Sequence, residues 1–372
     1  MKQLLHSLYV TEPDISLRLC GNALEAVRGD GRKDHIPLHM LEKIVSFSNL
    51  PASPALMERC AEKGIDIVFL SQSGRLRYRV CGRTRGNVLL RQRQYGLSAP
   101  ERLSYAGAIV RAKLYGASFT LSRFRRNRPE ARTVREAERA IKAEAERAES
   151  AGNLETLRGA EGAAVKAYFS AFEEMILTDE PLFRFERRSR RPPRNRCNAM
   201  LSFAYALLSA DCVSALESVG LNPYAGVFHE VRPGKPSLAL DLMEEFRSSV
   251  ADRHVLRMLN LRMLGPDEFE EGSEGIRLNE AGRKKFLQKA GGGKRRKKVS
   301  QLCADWGVAV QQSVYECVVN EEQFQAFKAS LSGAICPETD SVRLYRLGNR
   351  FSSRMEFLGK ASVQWDRETF VL

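Results

Sequence analysis

This chain of 372 residues has no Cys-x-x-Cys pair. It also lacks an uninterrupted apolar run near the eighteen or so residues of a membrane span, and no long apolar stretch follows its start, MKQLLHSLYVTEPD. The eight cysteines (Cys20, Cys60, Cys81, Cys197, Cys212, Cys303, Cys317 and Cys336) are scattered, which argues against a zinc ribbon and, in a reducing compartment, against a disulfide framework. Without a span or a secretory signal, the expected location is cytoplasmic, with no membrane partner. Acid is locally absent as well. From Arg75 to Gln94 there are seven arginines (75, 77, 79, 83, 85, 91, 93) and no Asp or Glu.

What is present is a globular composition, 43% hydrophobic and 28% charged, long enough for two or three domains. Lys and Arg outnumber Asp and Glu by 59 to 45, a net charge of +14. A second arginine cluster, PLFRFERRSRRPPRNR at 181–196, holds seven arginines against Glu186. Guanidinium forks fit phosphate oxygens, so clustered arginine points to nucleic acid, with a merely solvated basic surface as the other reading.

The periodicity changes along the chain. Up to about residue 90, short strand-like segments (SLYV, ISLRL, ALEAVR, RLRYRV and the apolar GIDIVFL) are broken by turn signals, and SPALMERCAEKG has a helical pattern between them. This predicts a β-rich domain over 1–90 with one helix. From 97 to 290 the period is helical: PEARTVREAERAIKAEAERAES predicts an exposed helix or helical arm, and further helices are expected at 154–177, 196–218, 237–264 and 279–289. GGGKRRKK at 291–298 could be a flexible basic linker. Beyond it, VSQLCADWG (helix), VQQSVYECVV (strand), EEQFQAFKASLSG (helix) and SVRLYRLG (strand) suggest a ferredoxin-like unit over 291–372 without its opening strand. The expected fold class is α+β: a small β-rich N-terminal domain, an all-α catalytic domain and an incomplete ferredoxin-like C-terminal segment.

Two places attract attention chemically. On the helix LETLRGAEGAAVKAYFSAFEEMI, Glu161 lies on the apolar stripe of Leu157, Ala164, Tyr168 and Phe172. An inward carboxylate needs a metal or an ion-pair partner, and an arginine is the alternative to a metal. Downstream, His229, one of five histidines, stands in the Gly/Pro-rich GVFHEVRPGKP ahead of a helix bearing Asp241, Glu244 and Glu245. Leu242, Met243, Phe246 and Val250 cover one face of that helix; Asp241, Glu244, Glu245 and Ser248 share the other. That face is either solvated or, if the loop folds the imidazole back, part of a metal site. His254 is expected to be structural or phosphate-contacting, His35 and His39 have no assigned role, and Arg194 and Asn198 are expected to pack and cap.

GAEGAAVKAYF, NRCNAMLSFAYALL and GLNPYAGVFHEVRPGKPSLALDLMEEFR, in that order, closely resemble blocks of the CRISPR-associated integrase, the endonuclease of spacer acquisition. The likeness covers residues 1 to about 288, and PGKPSLALDLMEEFR looks most like the subtype I-C members. The resemblance implies CRISPR antiviral defence, with spacer insertion by 3′-hydroxyl attack on a phosphodiester of double-stranded or branched DNA. It implies a homodimer that dimerises through the N-terminal domain, with Mg²⁺ or Mn²⁺ held by Glu161, His229 and Glu244 and supported by Asp241. An oxygen-rich set with one imidazole suits those ions better than zinc.

From Gly291, KRRKKVSQLCADWGVAVQQSVYECVV, PETDSVRLYRLGNR and SSRMEFLG resemble the small ferredoxin-like CRISPR adaptation partner, entered after its first strand. That protein forms a complex with the integrase. A segment missing its central strand is expected to fold poorly alone. A non-catalytic nucleic-acid scaffold or a defective fusion product are the alternatives to an integrase.

Overall fold

Alternation in SLRLC and ALEAV builds the first sheet. β1 is Ser7–Val10; β2 (Ser16–Cys20) and β3 (Ala23–Val27) form a hairpin closed by Gly21 and Asn22, with Gly21 at φ 58°, and β4 (Lys33–Pro37) pairs antiparallel with β3. Leu17, Leu24 and Ala26 point inward. In the second sheet, β1, β5 (Lys43–Ser46) and β6 (Asp66–Leu70) run parallel and β7 (Leu76–Val80) antiparallel, in the order β1-β5-β6-β7. Helix α1 (Pro54–Lys63) begins at Ser53, whose hydroxyl accepts from Leu56 N, and stops at Gly64 in the left-handed region, φ 69°. Leu17, Leu24, Leu38, Ile44, Leu56 and Ile67 form its core with the sheets. The sequence reading had the other strands and the helix but not β4 and β5. KDHIP is charged and mostly exposed, and KIVS is buried without alternation, so neither shows a period of two.

This computed structural model describes residues 7–82, 87–189, 192–272, 275–287, 292–311, 314–317 and 319–335, with Val342 and Leu344. The chain divides into two units, Met1–Gln288 and Lys289–Leu372.

In the first unit the helical body follows the sheets. Its elements are α2 (Val88–Tyr95), α3 (Ala99–Asn127), α4 (Arg132–Glu149), α5 (Leu154–Ser170), α6 (Arg196–Ser218), α7 (Ser237–Phe246), a wide π-helical turn at Arg247–Asp252, α8 (Arg253–Asn260) and α9 (Glu280–Leu287). A capping box between Ser98 and Glu101 starts α3, which at 29 residues runs about 43 Å and packs against α4, α5 and α7. Helix α4 is not an exposed arm. Val134, Ala137, Ile141 and Ala148 are buried against α3 and α5, and buried Glu138 pairs with Arg125 at 2.8 Å and Lys142 at 2.9 Å. Its small apolar residues were masked by the abundance of charge.

Residues 97–290, expected to be all-α, also contain two strands. β8 (Phe269–Gly272) and β9 (Gly275–Leu278) form an antiparallel hairpin that buries Phe269 and Leu278. Gly275 has φ 90°, and a Cβ there would lie 2.5 Å from Pro193 O. Among the described residues, α6 is the one helix long and apolar enough to cross a membrane, with a mean hydropathy of 1.6 in its most apolar window, of which 56% is buried inside the protein. Packing of Met200, Leu201, Phe203 and Val213 accounts for that apolar character.

The second unit contains α10 (Gly292–Trp306), β10 (Val308–Gln311), β11 (Val314–Glu316) and α11 (Glu321–Ser332), the last opened by an Asn320–Gln323 capping box. Cys303, Phe327 and Leu331 make a small core. Two expectations are corrected here. GGGKRRKK is helical from Gly292 rather than a linker, and VQQSVYECVV is not one strand, because β10 and β11 pair antiparallel across it. Apart from Val342 and Leu344, the expected strand SVRLYRLG lies outside the described residues.

Candidate active site

One carboxylate organises the loop ahead of α7. Asp241 is fully buried, and its Oδ2 accepts from the backbone N–H of Val227 (2.7 Å) and Phe228 (3.0 Å) while Oδ1 accepts from that of His229 (2.8 Å). The same Oδ1 lies 2.7 Å from His229 Nδ1. A carboxylate only accepts, so Nδ1 carries a proton, and in the neutral ring the lone pair is on Nε2. Nε2 faces Glu244 Oε1 at 3.9 Å. The loop carbonyls are held from outside: Arg102 Nε donates to Val227 O and the Arg158 guanidinium to Phe228 O, each at 3.0 Å. Gly226 permits the close approach, since a Cβ there would come 2.6 Å from Ser237 Cβ and 3.0 Å from Asp241 Oδ2.

Glu161 arrives from α5, where Leu157, Ala160, Ala164 and Tyr168 form the buried stripe; its own side chain is 22% exposed. Glu244 comes from α7, and its side chain is only 2% exposed. Lys113 of α3 joins them. Its ammonium pairs with Glu161 Oε1 and lies 2.6 Å from Glu244 Oε2. Arg247 binds Glu244 Oε1 at 2.8 Å. Burial would raise the Glu244 carboxyl pKa, but the charges of Lys113 and Arg247 outweigh it and hold the group below its ordinary value, ionised at neutral pH.

The acid-bearing face of α7 is therefore not solvated. Asp241, Glu244 and Ser248 are buried, whereas Phe246 and Val250, expected inside, are 41% and 52% exposed. Met243 is buried as expected, and the burial of the acids beside it has a physical cause: three backbone N–H groups, an ammonium and a guanidinium satisfy the inward polar groups. Glu161 does have an inward partner, a lysine where an arginine was the expected alternative to metal.

Behind the carboxylates lies a second buried group. Arg247 stacks over the Tyr205 ring, 4.8 Å from its centroid, and the Tyr205 hydroxyl donates to Asp252 Oδ1 at 2.5 Å. Burial pushes the Asp252 carboxyl up to about 6, against the Tyr205 hydrogen bond and the Arg247 charge. Sequence reasoning missed Lys113, Tyr205, Arg247 and Asp252. A signal for Lys113 existed: it lies three residues after Val110 and four before Ala117, on the buried stripe of α3.

The structure brings His229 to Glu244 and brings Glu161 and Glu244 to Lys113; it does not close all three on one point, because the ammonium stands between the carboxylates. Two carboxylates and an imidazole form a donor set able to hold a hard divalent cation, and the Glu244 oxygen that would serve it, Oε2, faces the Lys113 ammonium at 2.6 Å. Among the described residues, three ligand-type atoms converge within 4.8 Å only at Cys20, Glu25 and His35, on the outer side of the β2–β3–β4 sheet, where Lys33 pairs with Glu25 at 3.2 Å.

The arginine clusters serve partly as internal structure. Arg79 pairs with Asp66 at 3.7 Å and with Glu217, and Arg196 lies over Phe269. Arg188 donates to Asn198 Oδ1 at 2.7 Å and lies over Tyr205. Asn198, fully buried, also accepts from Ser189 N (3.1 Å) and donates to Arg187 O (2.8 Å), so it anchors the arginine loop, while the α6 cap is Asn195. Arg83, Arg85, Arg190 and Arg191 lie outside the described residues. His254 is structural: its Nε2 is 3.0 Å from Phe286 O, and burial lowers its pKa.

The family of CRISPR associated protein Cas1 matches residues 8–291, and that of CRISPR associated protein Cas2 matches 291–355. A CRISPR-associated endonuclease Cas1 of Chlorobaculum tepidum is 40% identical over 293 residues, 77% of this chain and 85% of the relative. Another, of Rhodospirillum rubrum, is 42% identical over 301 residues, 77% of this chain and 86% of the relative. Among solved structures, a Cas1 protein from Thermotoga maritima superposes with a TM-score of 0.65 at 28% identity, covering 79% of this chain and 91% of that one.

Proposed function

This chain belongs to the Cas1 family of CRISPR-associated endonucleases, and we propose that it joins DNA with a divalent metal held by Glu161, His229 and Glu244. It acts in CRISPR adaptation as a DNA endonuclease and integrase, and its C-terminal Cas2 match puts the partner family on the same polypeptide. The observation that carries the ligand assignment is the buried Glu244, which faces His229 Nε2 on one oxygen and shares a cation with Glu161 on the other.

A bound Mg²⁺ or Mn²⁺ would neutralise charge on the phosphate under attack and stabilise the attacking and leaving oxygens. The chain's own residues do the rest. Asp241 fixes the His229 tautomer so that Nε2 presents a lone pair. Arg247, whose guanidinium lies over the Tyr205 ring, keeps the Glu244 carboxylate ionised and oriented. The net charge of +14 supplies phosphate affinity for double-stranded or branched DNA that is independent of the metal site. With a DNA 3′-hydroxyl as nucleophile the outcome is strand joining; with water it is cleavage. The working form is a cytoplasmic homodimer joined through the N-terminal domain, in complex with the Cas2 partner.

The test is Mn²⁺-dependent joining of a branched DNA substrate. Glu161→Ala, His229→Ala and Glu244→Ala are expected to lower joining roughly 10²–10³-fold or more while DNA binding stays within a few-fold of the parent. Unchanged joining by a folded His229→Ala protein overturns the assignment.

A further inference from the structure

A single ammonium fills the gap between Glu161 and Glu244. Lys113 Nζ pairs with Glu161 Oε1 and sits 2.6 Å from Glu244 Oε2. A divalent cation bound by both carboxylates lies about 2.1 Å from an oxygen of each, so it needs the volume that Nζ occupies. Metal and ammonium exclude one another. Charge leads to the same conclusion: Lys113 and Arg247 already balance the two carboxylates, and adding a doubly charged ion would leave the buried cluster with excess positive charge.

Of the two cations, Lys113 is the one built to move. Arg247 is planar, lies over the Tyr205 ring and binds Glu244 Oε1, while Lys113 ends a flexible stem of four methylenes. Next to it is a cavity of about 30 Å³ lined by Lys113, Ala117, Ala164, Arg247, Ser248 and Asp252. Ser248 Oγ, buried in that wall, makes no hydrogen bond among the described residues. The cavity thus holds an unpartnered hydroxyl and a carboxylate within the lining it shares with the lysine.

Resting on the reading of Glu161, His229 and Glu244 as metal ligands, we propose that Lys113 is a two-position cation. It neutralises Glu161 and Glu244 until a divalent metal arrives, then turns its ammonium into the cavity beside Ser248 and Asp252. The lysine thereby competes with the metal for the site and keeps the two carboxylates from repelling each other in its absence.

Calorimetric titration of the full chain with Mn²⁺ at fixed pH tests this, with folding checked by circular dichroism. Lys113→Met removes the competitor and is expected to bind Mn²⁺ roughly tenfold more tightly, while melting at a lower temperature than the parent when no metal is present. Lys113→Arg, whose wider head group fills the same gap, is expected to bind more weakly. Ser248→Ala removes the second position and weakens Mn²⁺ binding a few-fold in the parent but not in the Lys113→Met background. Equal or weaker Mn²⁺ binding by Lys113→Met overturns the proposal. Glu161→Ala separates the two readings: if it loses Mn²⁺ binding, the ligand set stands whatever Lys113 does; if it binds like the parent, the ligand set falls, and this inference with it.

Discussion

The Nδ1 atom of His229 lies 2.7 Å from Oδ1 of Asp241, and that oxygen also accepts the backbone N–H of His229. One buried oxygen thus sets both the position of the residue and the state of its ring. The loop and the helix that follow it are locked through this contact.

Asp241→Asn keeps the shape and removes the charge. An amide offers one acceptor oxygen where the carboxylate uses two, so either the His229 backbone N–H or those of both Val227 and Phe228 lose their partner. The expected cost is about 1–3 kcal/mol of stability, with strand joining down roughly 10–100-fold through the misoriented imidazole. Chemical denaturation and the joining assay measure the two effects, and an Asn variant with parental activity contradicts the tautomer argument.

Gly226→Ala sets a methyl group 2.6 Å from Ser237 Cβ. Because backbone also lies at 2.9 Å, the loop has to shift and the Asp241 hydrogen bonds open. We expect a loss of about 1–3 kcal/mol and a protein that binds DNA but joins it poorly. A double-jump comparison of binding by gel shift against joining on the same substrate separates these.

Stability should also depend on pH through Asp252. Its pKa is raised from 3.8 to about 6 in the folded protein, so the native state holds a proton that the unfolded chain has released. The stabilisation is fully present below about pH 4 and is lost as the pH rises through 6. Against Asp252→Asn, which cannot titrate, the parent should lose on the order of 2–3 kcal/mol between pH 4 and pH 7. Parallel unfolding curves for the two proteins across that range refute the shift.

Asn198→Ala removes the side chain that ties Arg187, Arg188 and Ser189 to the start of α6. The buried partners left behind predict a loss of about 1–3 kcal/mol. The earliest tryptic cut should move to Arg187 or Arg188, read by mass spectrometry of the first fragments.

Much of this architecture is written locally and some of it is not. Helix α1 announces itself by Ser53-Pro54 and Gly64, and the inward position of Glu161 follows from its spacing to Leu157 and Ala164. The face of α7 could not be read the same way. Its polar residues are buried because Lys113, more than a hundred positions earlier, and the loop N–H groups meet them, and no window around residue 241 contains those partners. Helix α4 failed for the opposite reason: alanines that pack tightly look neutral beside so much charge. The hairpin β8–β9 was hidden within Glu-rich sequence, since only Phe269, Ile276 and Leu278 carry its apolar side.

Between Glu244 and the packed residues of α8, the wide turn at Arg247–Asp252 carries one residue more per turn than an ordinary helix. Because the wide turn absorbs one extra residue, rewinding the same six residues as ordinary helix would spin one flank by about 100° relative to the other, so either Glu244 would leave the interior or Val255 and Met258 would. A related sequence one residue shorter here is therefore expected to wind as ordinary helix with the same side chains buried, whereas one lacking two residues would have to turn Glu244 or the α8 stripe outward.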